Sequence, residues 1–221
     1  MLGAAVALGA LAGCSSEIHG GEIPPPAVEP LIEVTDAYPA GPYGVIEGKV
    51  IANYAFLGYV NPVADSSMLQ PIKLEDFYNP TGTEVYPEGS PYGAGLPRPK
   101  ALLINVSAVW CGPCKVEAEE VLPGKYANYK PLGGEFLLEL ADGPSPGTAA
   151  LENHLGAWTK KFKVNYPSTI DPQYQLGALF DQDAYPGNMI VRTKTMEIVK
   201  ITRGAPDQSF WSKFESVLGE E

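Results

Sequence analysis

Three shortages in this sequence limit what the protein can be. Its 221 residues include three Cys and two His, whereas a structural disulfide framework needs more Cys at wider spacing. Lys and Arg number 15 against 26 Asp and Glu, which gives a net charge of −11. We therefore expect no nucleic-acid partner, since phosphate binding needs clustered cations. Hydrophobic residues make up 45% of the chain, which is enough for one folded domain plus an extra segment.

The N-terminal apolar run is too short to span a bilayer. Residues 2–12 are small, apolar and uncharged, and they have the length of the hydrophobic region of a signal peptide. The run ends in Leu11-Ala12-Gly13-Cys14, which resembles the bacterial lipobox, where the Cys is lipidated and the preceding residues are removed. We predict a lipoprotein signal peptide over residues 1–13 and lipidation of Cys14. The alternative is a plain secretory signal peptide with an incidental Cys.

Lipidation would attach the protein to the bacterial cell envelope, facing the periplasm or another extracytoplasmic space. Residues 14–42 are rich in Pro, Gly and Glu and include Pro24-Pro25-Pro26, a composition typical of a solvated tether. The folded domain is predicted over residues 43–221.

Hydrophobic patterning predicts an α/β domain with a central mixed β-sheet flanked by helices. Strands are predicted at residues 44–51, 54–60, 72–77, 101–109, 136–141, 188–192 and 198–202. Helices are predicted from Cys111 towards Val121 and on to Tyr129, from Thr148 as N-cap to Lys161, and from near Pro206 onwards. We expect Pro123-Gly124 to end or kink the first helix, because Pro lacks the N–H that a helix interior needs.

The stretch Trp110-Cys111-Gly112-Pro113-Cys114-Lys115 carries the chemistry that the sequence predicts. It follows the strand predicted to be most deeply buried and begins a helix. A helix N-terminus stabilises the reactive thiolate of a Cys through its free N–H groups and dipole. Cys residues three apart lie on one face, so the first can attack a disulfide and the second can resolve the mixed disulfide. A zinc site is disfavoured because the sequence has no second pair of Cys or His at suitable spacing.

This hexapeptide is similar to the thioredoxin active site, and the chain from about Val45 onwards resembles the extracytoplasmic TlpA and ResA branch of that family. The resemblance implies a thioredoxin-like fold with an N-terminal β extension and a helical insertion over residues 148–161. It implies that Cys111 and Cys114 are catalytic and that Trp110, Gly112 and Pro113 contact the substrate. Lys115 is expected to support the active site.

Two polar residues near the Cys pair also match this branch. Asn105 lies six positions before Cys111, where the branch often has Asn, and Glu117 completes its Cys-x-x-Cys-x-x-Glu pattern. Glu117 would then influence the thiol pKa or relay a proton. The alternatives are a hydrogen-bonded core residue for Asn105 and a solvated helix residue for Glu117, whose neighbours Glu119 and Glu120 are also acidic.

The family has a cis-proline that faces the disulfide and pairs with the substrate backbone. Pro186, in Tyr185-Pro186-Gly187-Asn188, is the best candidate because it directly precedes a predicted strand. Tyr185 and Pro186 would then bind substrate. Pro167 is the rival candidate, and it precedes the predicted strand residues Ile170-Asp171.

The reaction implied by the resemblance is dithiol–disulfide exchange with protein substrates, with no cofactor or metal beyond the Cys111–Cys114 redox couple. Gly-Pro between the Cys residues resembles reducing thioredoxins and predicts a reductant, which would need a membrane electron donor, or a membrane oxidant if it works in reverse. A peroxiredoxin-like thiol peroxidase is one alternative, but Val109-Trp110 replaces the residues that such enzymes have before the reactive Cys. A copper-binding module is another, but it would need a wider Cys spacing and a ligand His.

Overall fold

The computed structural model describes residues 38–64, 68–177 and 185–220. The predicted signal peptide, Cys14 and most of the predicted tether lie outside these residues. Within the described part of the chain, no helix is long and apolar enough to cross a membrane.

One mixed sheet of seven strands organises the domain. The strands are β1 (Ala55–Tyr59), β2 (Gln70–Lys73), β3 (Ala101–Ala108), β4 (Gly134–Asp142), β5 (Ser168–Ile170), β6 (Gly187–Arg192) and β7 (Glu197–Arg203). Their order across the sheet is β2-β1-β5-β4-β3-β6-β7. The pairs β3–β4 and β4–β5 are parallel and the other pairs are antiparallel. This confirms the predicted α/β architecture, and β1 and β2 form the expected N-terminal β extension.

Strand β3 lies inside the sheet, between β4 and β6, and is buried on both faces. All eight of its residues are buried, as expected for a continuous apolar run between two covered faces. The polar interruptions Asn105 and Ser107 lie on the same face, because side chains alternate along a strand. That face is covered by the helix that follows β3, so the two polar side chains point towards it.

The helix after β3 is continuous but widens in its middle. It consists of α1 (Gly112–Val116), a π-helical turn (Glu117–Val121) and α2 (Leu122–Tyr129). Pro123-Gly124 does not end the helix, contrary to one of the two predicted outcomes, because α2 continues to Tyr129. Pro123 directly follows the π-helical turn, and prolines and π turns are both places where helix geometry changes locally. The π turn just before it closes with the N–H of Leu122 donating to the carbonyl of Glu117.

The helix of the insertion begins later than the sequence predicts. Helix α3 (Glu152–Phe162) has Leu151 as its N-cap, not Thr148. The hydroxyl of Thr148 instead donates to the Ser145 carbonyl at 2.5 Å, and the Leu151 N–H donates to Nδ1 of His154 at 3.1 Å. The helical insertion therefore exists, but it starts four residues after Thr148.

Helix α4 (Gln208–Leu218) begins two residues after Pro206, so the predicted start near Pro206 is right, but that proline precedes the N-cap. Asp207 is its N-cap and accepts a hydrogen bond from the N–H of Phe210 at 2.9 Å. A carboxylate satisfies the free N–H groups at a helix start, so Asp207 defines the first turn and Pro206 lies outside it. The buried side of α4, including Phe214, packs on Phe136 of β4.

Two predicted strands near the N-terminus are wrong in part. Residues 44–51 form isolated bridges and a turn at Gly48, which has a φ of 81°, rather than a strand. They run beside β7, where the Gly48 N–H donates to the Ile198 carbonyl at 2.8 Å and the Ile198 N–H donates to the Lys49 carbonyl at 2.9 Å. In the segment 72–77, β2 ends at Lys73 and a 3₁₀ helix (Leu74–Phe77) follows, because the Asp76 carboxylate accepts the Lys73 N–H at 2.9 Å.

Candidate active site

The two Cys residues are joined at the start of the helix that follows β3. Cys111 is the N-cap of α1 and forms a disulfide with Cys114, with a Cα–Cα distance of 5.3 Å. The Cys114 N–H donates to Sγ of Cys111 at 3.0 Å. A helix N-terminus presents N–H groups that favour negative charge, so the same geometry would stabilise a Cys111 thiolate after reduction.

The helix tip presents the residues between the sulfurs to solvent. Gly112 and Pro113 are exposed and Lys115 is half-buried, while Cys111 and Cys114 are 1% and 0% exposed. Gly112 and Pro113 are therefore the solvent-facing residues next to the two buried sulfurs.

Trp110 is fixed in place beside the disulfide by a carboxylate. Its Nε1–H donates to Oδ2 of Asp142 at 2.8 Å. Asp142 also accepts the N–H of Gly147 at 3.1 Å and the hydroxyl of Tyr174. The Trp110 ring meets Tyr185 edge-on, with centroids 5.7 Å apart. Asp142 thus ties three loops together around the Cys pair.

One of the two candidate prolines follows a cis peptide bond. The described residues contain cis bonds at Gly41–Pro42 and Tyr185–Pro186, and the bond before Pro167 is trans. Pro186 directly precedes β6, and its carbonyl accepts the N–H of Gly204 at 2.7 Å. Pro186, and not the rival candidate Pro167, therefore has the geometry that the resemblance predicts.

Glu117 is the first residue of the π-helical turn, and its side chain is buried rather than solvated. It is 2% exposed, and each carboxylate oxygen accepts one amide. Asn105 Nδ2 donates to Oε2 at 2.9 Å, and Asn188 Nδ2 donates to Oε1 at 3.1 Å. The Asn105 amide also donates to Oδ1 of Asn188 at 3.0 Å, and the Ser107 hydroxyl donates to Oδ1 of Asn105 at 2.9 Å.

Burial and these hydrogen bonds shift the pKa of the Glu117 carboxyl in opposite directions. Burial raises the pKa of its carboxyl to about 7, while the Asn105 and Asn188 amides lower that pKa. An ionised carboxylate in an apolar interior is costly unless donors surround it. Glu117 therefore changes charge close to neutral pH, in the range where thiol chemistry takes place.

A further buried carboxyl, that of Glu139, lies on the opposite face of the sheet. Glu139 stands opposite Val106 in the β3–β4 register, whereas Leu138 stands opposite Asn105. Burial, together with the nearby charge of Asp171, raises the pKa of Glu139 well above its ordinary range. Because side chains alternate along a strand, Glu139 points to the face of the sheet opposite Asn105.

The sequence missed three residues of this site. Asp142 could have been found, since it ends the strand parallel to β3, and carboxyl ends of parallel strands meet at one edge of a sheet. Asn188 lies in the predicted strand after Pro186, yet its partner Glu117 is 71 residues away along the chain. Tyr174 carries no comparable signal, because it lies in an irregular turn after β5.

Comparison with known proteins identifies the fold through solved structures. No family model and no curated protein sequence matches the chain. A Chlorobium tepidum structure described as a thiol:disulfide interchange protein DsbE has a TM-score of 0.55 and 16% identity, covering 80% of this chain and 100% of that one. A secreted thiol-disulfide isomerase from Corynebacterium glutamicum has a TM-score of 0.51 and 14% identity, covering 78% and 86%.

The AhpC structure of Enterococcus faecalis also matches, with a TM-score of 0.53 and 17% identity, covering 79% of this chain and 92% of that one. Identities this low establish a common fold and leave the activity to be argued from the site. The order of strands, the helix that begins at the Cys pair and these structural matches lead to one conclusion: the protein has a thioredoxin-like fold.

Proposed function

We propose that this protein is a thiol–disulfide oxidoreductase that exchanges a dithiol for a disulfide with protein substrates. The Cys111–Cys114 disulfide at a helix N-terminus is the observation that carries the proposal. The reduced form would present a thiolate that the helix N-terminus stabilises. The structural matches that are described as disulfide interchange and isomerase proteins support this chemistry.

The reductive cycle has two displacement steps. The Cys111 thiolate attacks one sulfur of a substrate disulfide, and the other substrate sulfur leaves as a thiolate that takes a proton from water. Cys114 then loses its proton and attacks Sγ of Cys111, which closes the enzyme disulfide and releases the second substrate thiol. Two electrons pass from the enzyme dithiol to the substrate disulfide. We assign the Cys114 proton to the Glu117 carboxylate, one helical turn away.

The substrate would lie against Trp110, Tyr185 and the backbone at Pro186. Trp110 is held by Asp142 and contacts Tyr185, so the two rings form one fixed wall beside the disulfide. A strand-like substrate segment could pair with the backbone next to Pro186, which is a common way to bind extended peptides. Lys115, which is half-buried and follows Cys114 on α1, would face the substrate surface.

The cellular setting belongs to the same proposal. Lipidation of Cys14 would anchor the protein in the cell envelope, and reduction of substrates there would draw electrons from a membrane donor. Labelling with a fatty acid in a bacterial host should mark the wild-type chain. The Cys14→Ser variant should remain unlabelled.

The redox proposal is tested by equilibrating the Cys14→Ser chain, whose remaining thiols are Cys111 and Cys114, with glutathione and thioredoxin buffers. A potential near about −270 mV supports a reductant, and one near about −120 mV indicates an oxidant. Cys114→Ser should trap a mixed disulfide at Cys111, and Cys111→Ser should trap none. A pair that does not cycle between dithiol and disulfide would overturn the proposal.

A thiol peroxidase remains the second candidate, because the fold also matches the AhpC structure. Peroxide consumption by the reduced protein separates the two functions. Turnover with peroxide but not with protein disulfides would favour the peroxidase, and the reverse result would favour the oxidoreductase.

A further inference from the structure

The carboxylate of Glu117 ends a chain of hydrogen bonds that runs in one direction. Ser107 donates to the amide oxygen of Asn105, so the Asn105 nitrogen faces the helix. That nitrogen donates both to Glu117 and to the amide oxygen of Asn188. Because the Asn188 oxygen is occupied in this way, the Asn188 nitrogen faces the other oxygen of Glu117.

Both oxygens of Glu117 therefore face hydrogen-bond donors. A carboxylate is an acceptor at both oxygens, whereas a protonated carboxyl must donate one hydrogen. Two amide N–H groups match the ionised form, and neither of them can accept the proton of the neutral form. Hydrogen bonds to a charged group are stronger than those between neutral groups, so this arrangement favours the anion against its burial.

Within residues 38–64, 68–177 and 185–220, burial and the Asn105 and Asn188 amides set the Glu117 pKa, and no nearby cation contributes. Leu138 of β4 stands opposite Asn105 in the sheet, and Tyr166 faces Glu117 from the segment before β5, where burial and the Glu117 charge raise its phenol pKa. On the helix itself, Glu119 and Glu120 are exposed. Removing one Asn amide should therefore raise the pKa of the Glu117 carboxyl strongly.

We propose that Asn188 is a positioning residue that, with Asn105, stabilises the anionic form of the Glu117 carboxyl beneath the Cys pair. Asn188 stands directly opposite Asn105 in the β3–β6 register and two residues after Pro186. It thereby connects the strand at the substrate-binding backbone to the helix that carries the disulfide. Its role in catalysis rests on the proposed function, since Glu117 acts there as the acceptor of the Cys114 proton.

The test replaces Asn188 with Leu, which keeps the volume and removes the amide. In the oxidised full chain, the carboxyl of Glu117 is titrated by carbon-13 NMR of labelled glutamate. Asn188→Leu should raise the titration midpoint by one pH unit or more relative to the wild type, a tenfold or greater change in proton affinity. Asn188→Ala makes the same removal with less bulk and serves if the Leu variant does not fold.

A second measurement follows the pH profile of mixed-disulfide resolution. Asn188→Leu should shift that profile to higher pH by the same amount, while in a Glu117→Gln background the Leu substitution should leave the profile unchanged. An NMR midpoint that stays at the wild-type value overturns the inference, as does an equal shift of the profile in both backgrounds. If the Cys pair does not cycle at all, the proposed function fails, whereas the NMR titration still tests the role of Asn188.

Discussion

Replacing Glu117 with Gln should weaken the dependence of folding stability on pH. The folded protein holds the Glu117 proton with a pKa of about 7, against 4.5 for an unperturbed glutamate. A carboxyl whose pKa is raised by folding stabilises the folded state at low pH, and this stabilisation is lost as the pH rises from the unfolded value through the folded value. At about 1.4 kcal/mol for each pKa unit, the loss is about 3 kcal/mol.

The wild type should lose this stability between about pH 4.5 and about pH 8, and Glu117→Gln should not. Near pH 4.5 the two proteins should have similar stability, because the neutral wild-type carboxyl and the Gln amide each place one donor against an Asn amide nitrogen. Near pH 8 the variant should be the more stable protein.

Urea unfolding of the disulfide-bonded chain across this range measures the difference directly. Other titrating groups, including Glu139, are present in both proteins and cancel in the comparison. Unfolding free energies that run parallel from about pH 4.5 to about pH 8 would refute the reasoning.

Other predictions address the core and the backbone. Glu139→Gln should stabilise the protein increasingly as the pH rises above about 5, because the raised pKa of Glu139 makes its burial costlier as solution pH increases; denaturation at two pH values checks this, and a gain independent of pH would contradict it. Gly58→Ala should destabilise by about 3 kcal/mol or prevent folding, since the added Cβ would lie 2.1 Å from the Ser168 carbonyl oxygen. Gly124→Ala is the matched control: its Cβ meets nothing within 4 Å, and a helix interior gains about 0.5–1 kcal/mol from the exchange, so thermal melting should move in opposite directions for the two variants.

The sequence predicted the architecture well where local patterns decide the structure. The apolar run of β3 and the Cys pair after it define the central strand and the helix that begins at Cys111. The strand and the helix depend on residues close together in the chain, which periodicity and turn residues report directly. The cis bond before Pro186 was correctly predicted from the family resemblance, since Pro167 also directly precedes a strand.

The sequence failed where distant groups decide the structure. Residues 44–51 are apolar enough for a strand, but the turn at Gly48 makes them follow β7 through separate hydrogen bonds. Thr148 is a good N-cap by residue type, yet its hydroxyl donates to the Ser145 carbonyl. Asn188 was part of a predicted strand, and nothing in the local pattern indicates its bond to Glu117.

The segment beside β7 has a consequence for how the protein meets other chains. The Glu47 carboxylate accepts the N–H of Ile201 at 2.8 Å, and the backbone of Gly48 and Lys49 binds Ile198. An outer strand with free N–H and carbonyl groups is a template on which another chain can add a strand, which leads to aggregation. Here the protein's own chain binds such groups of β7: the Glu47 carboxylate accepts one N–H, and the turn at Gly48 and Lys49 pairs with Ile198. A strand from another chain is thereby kept from pairing with this part of β7.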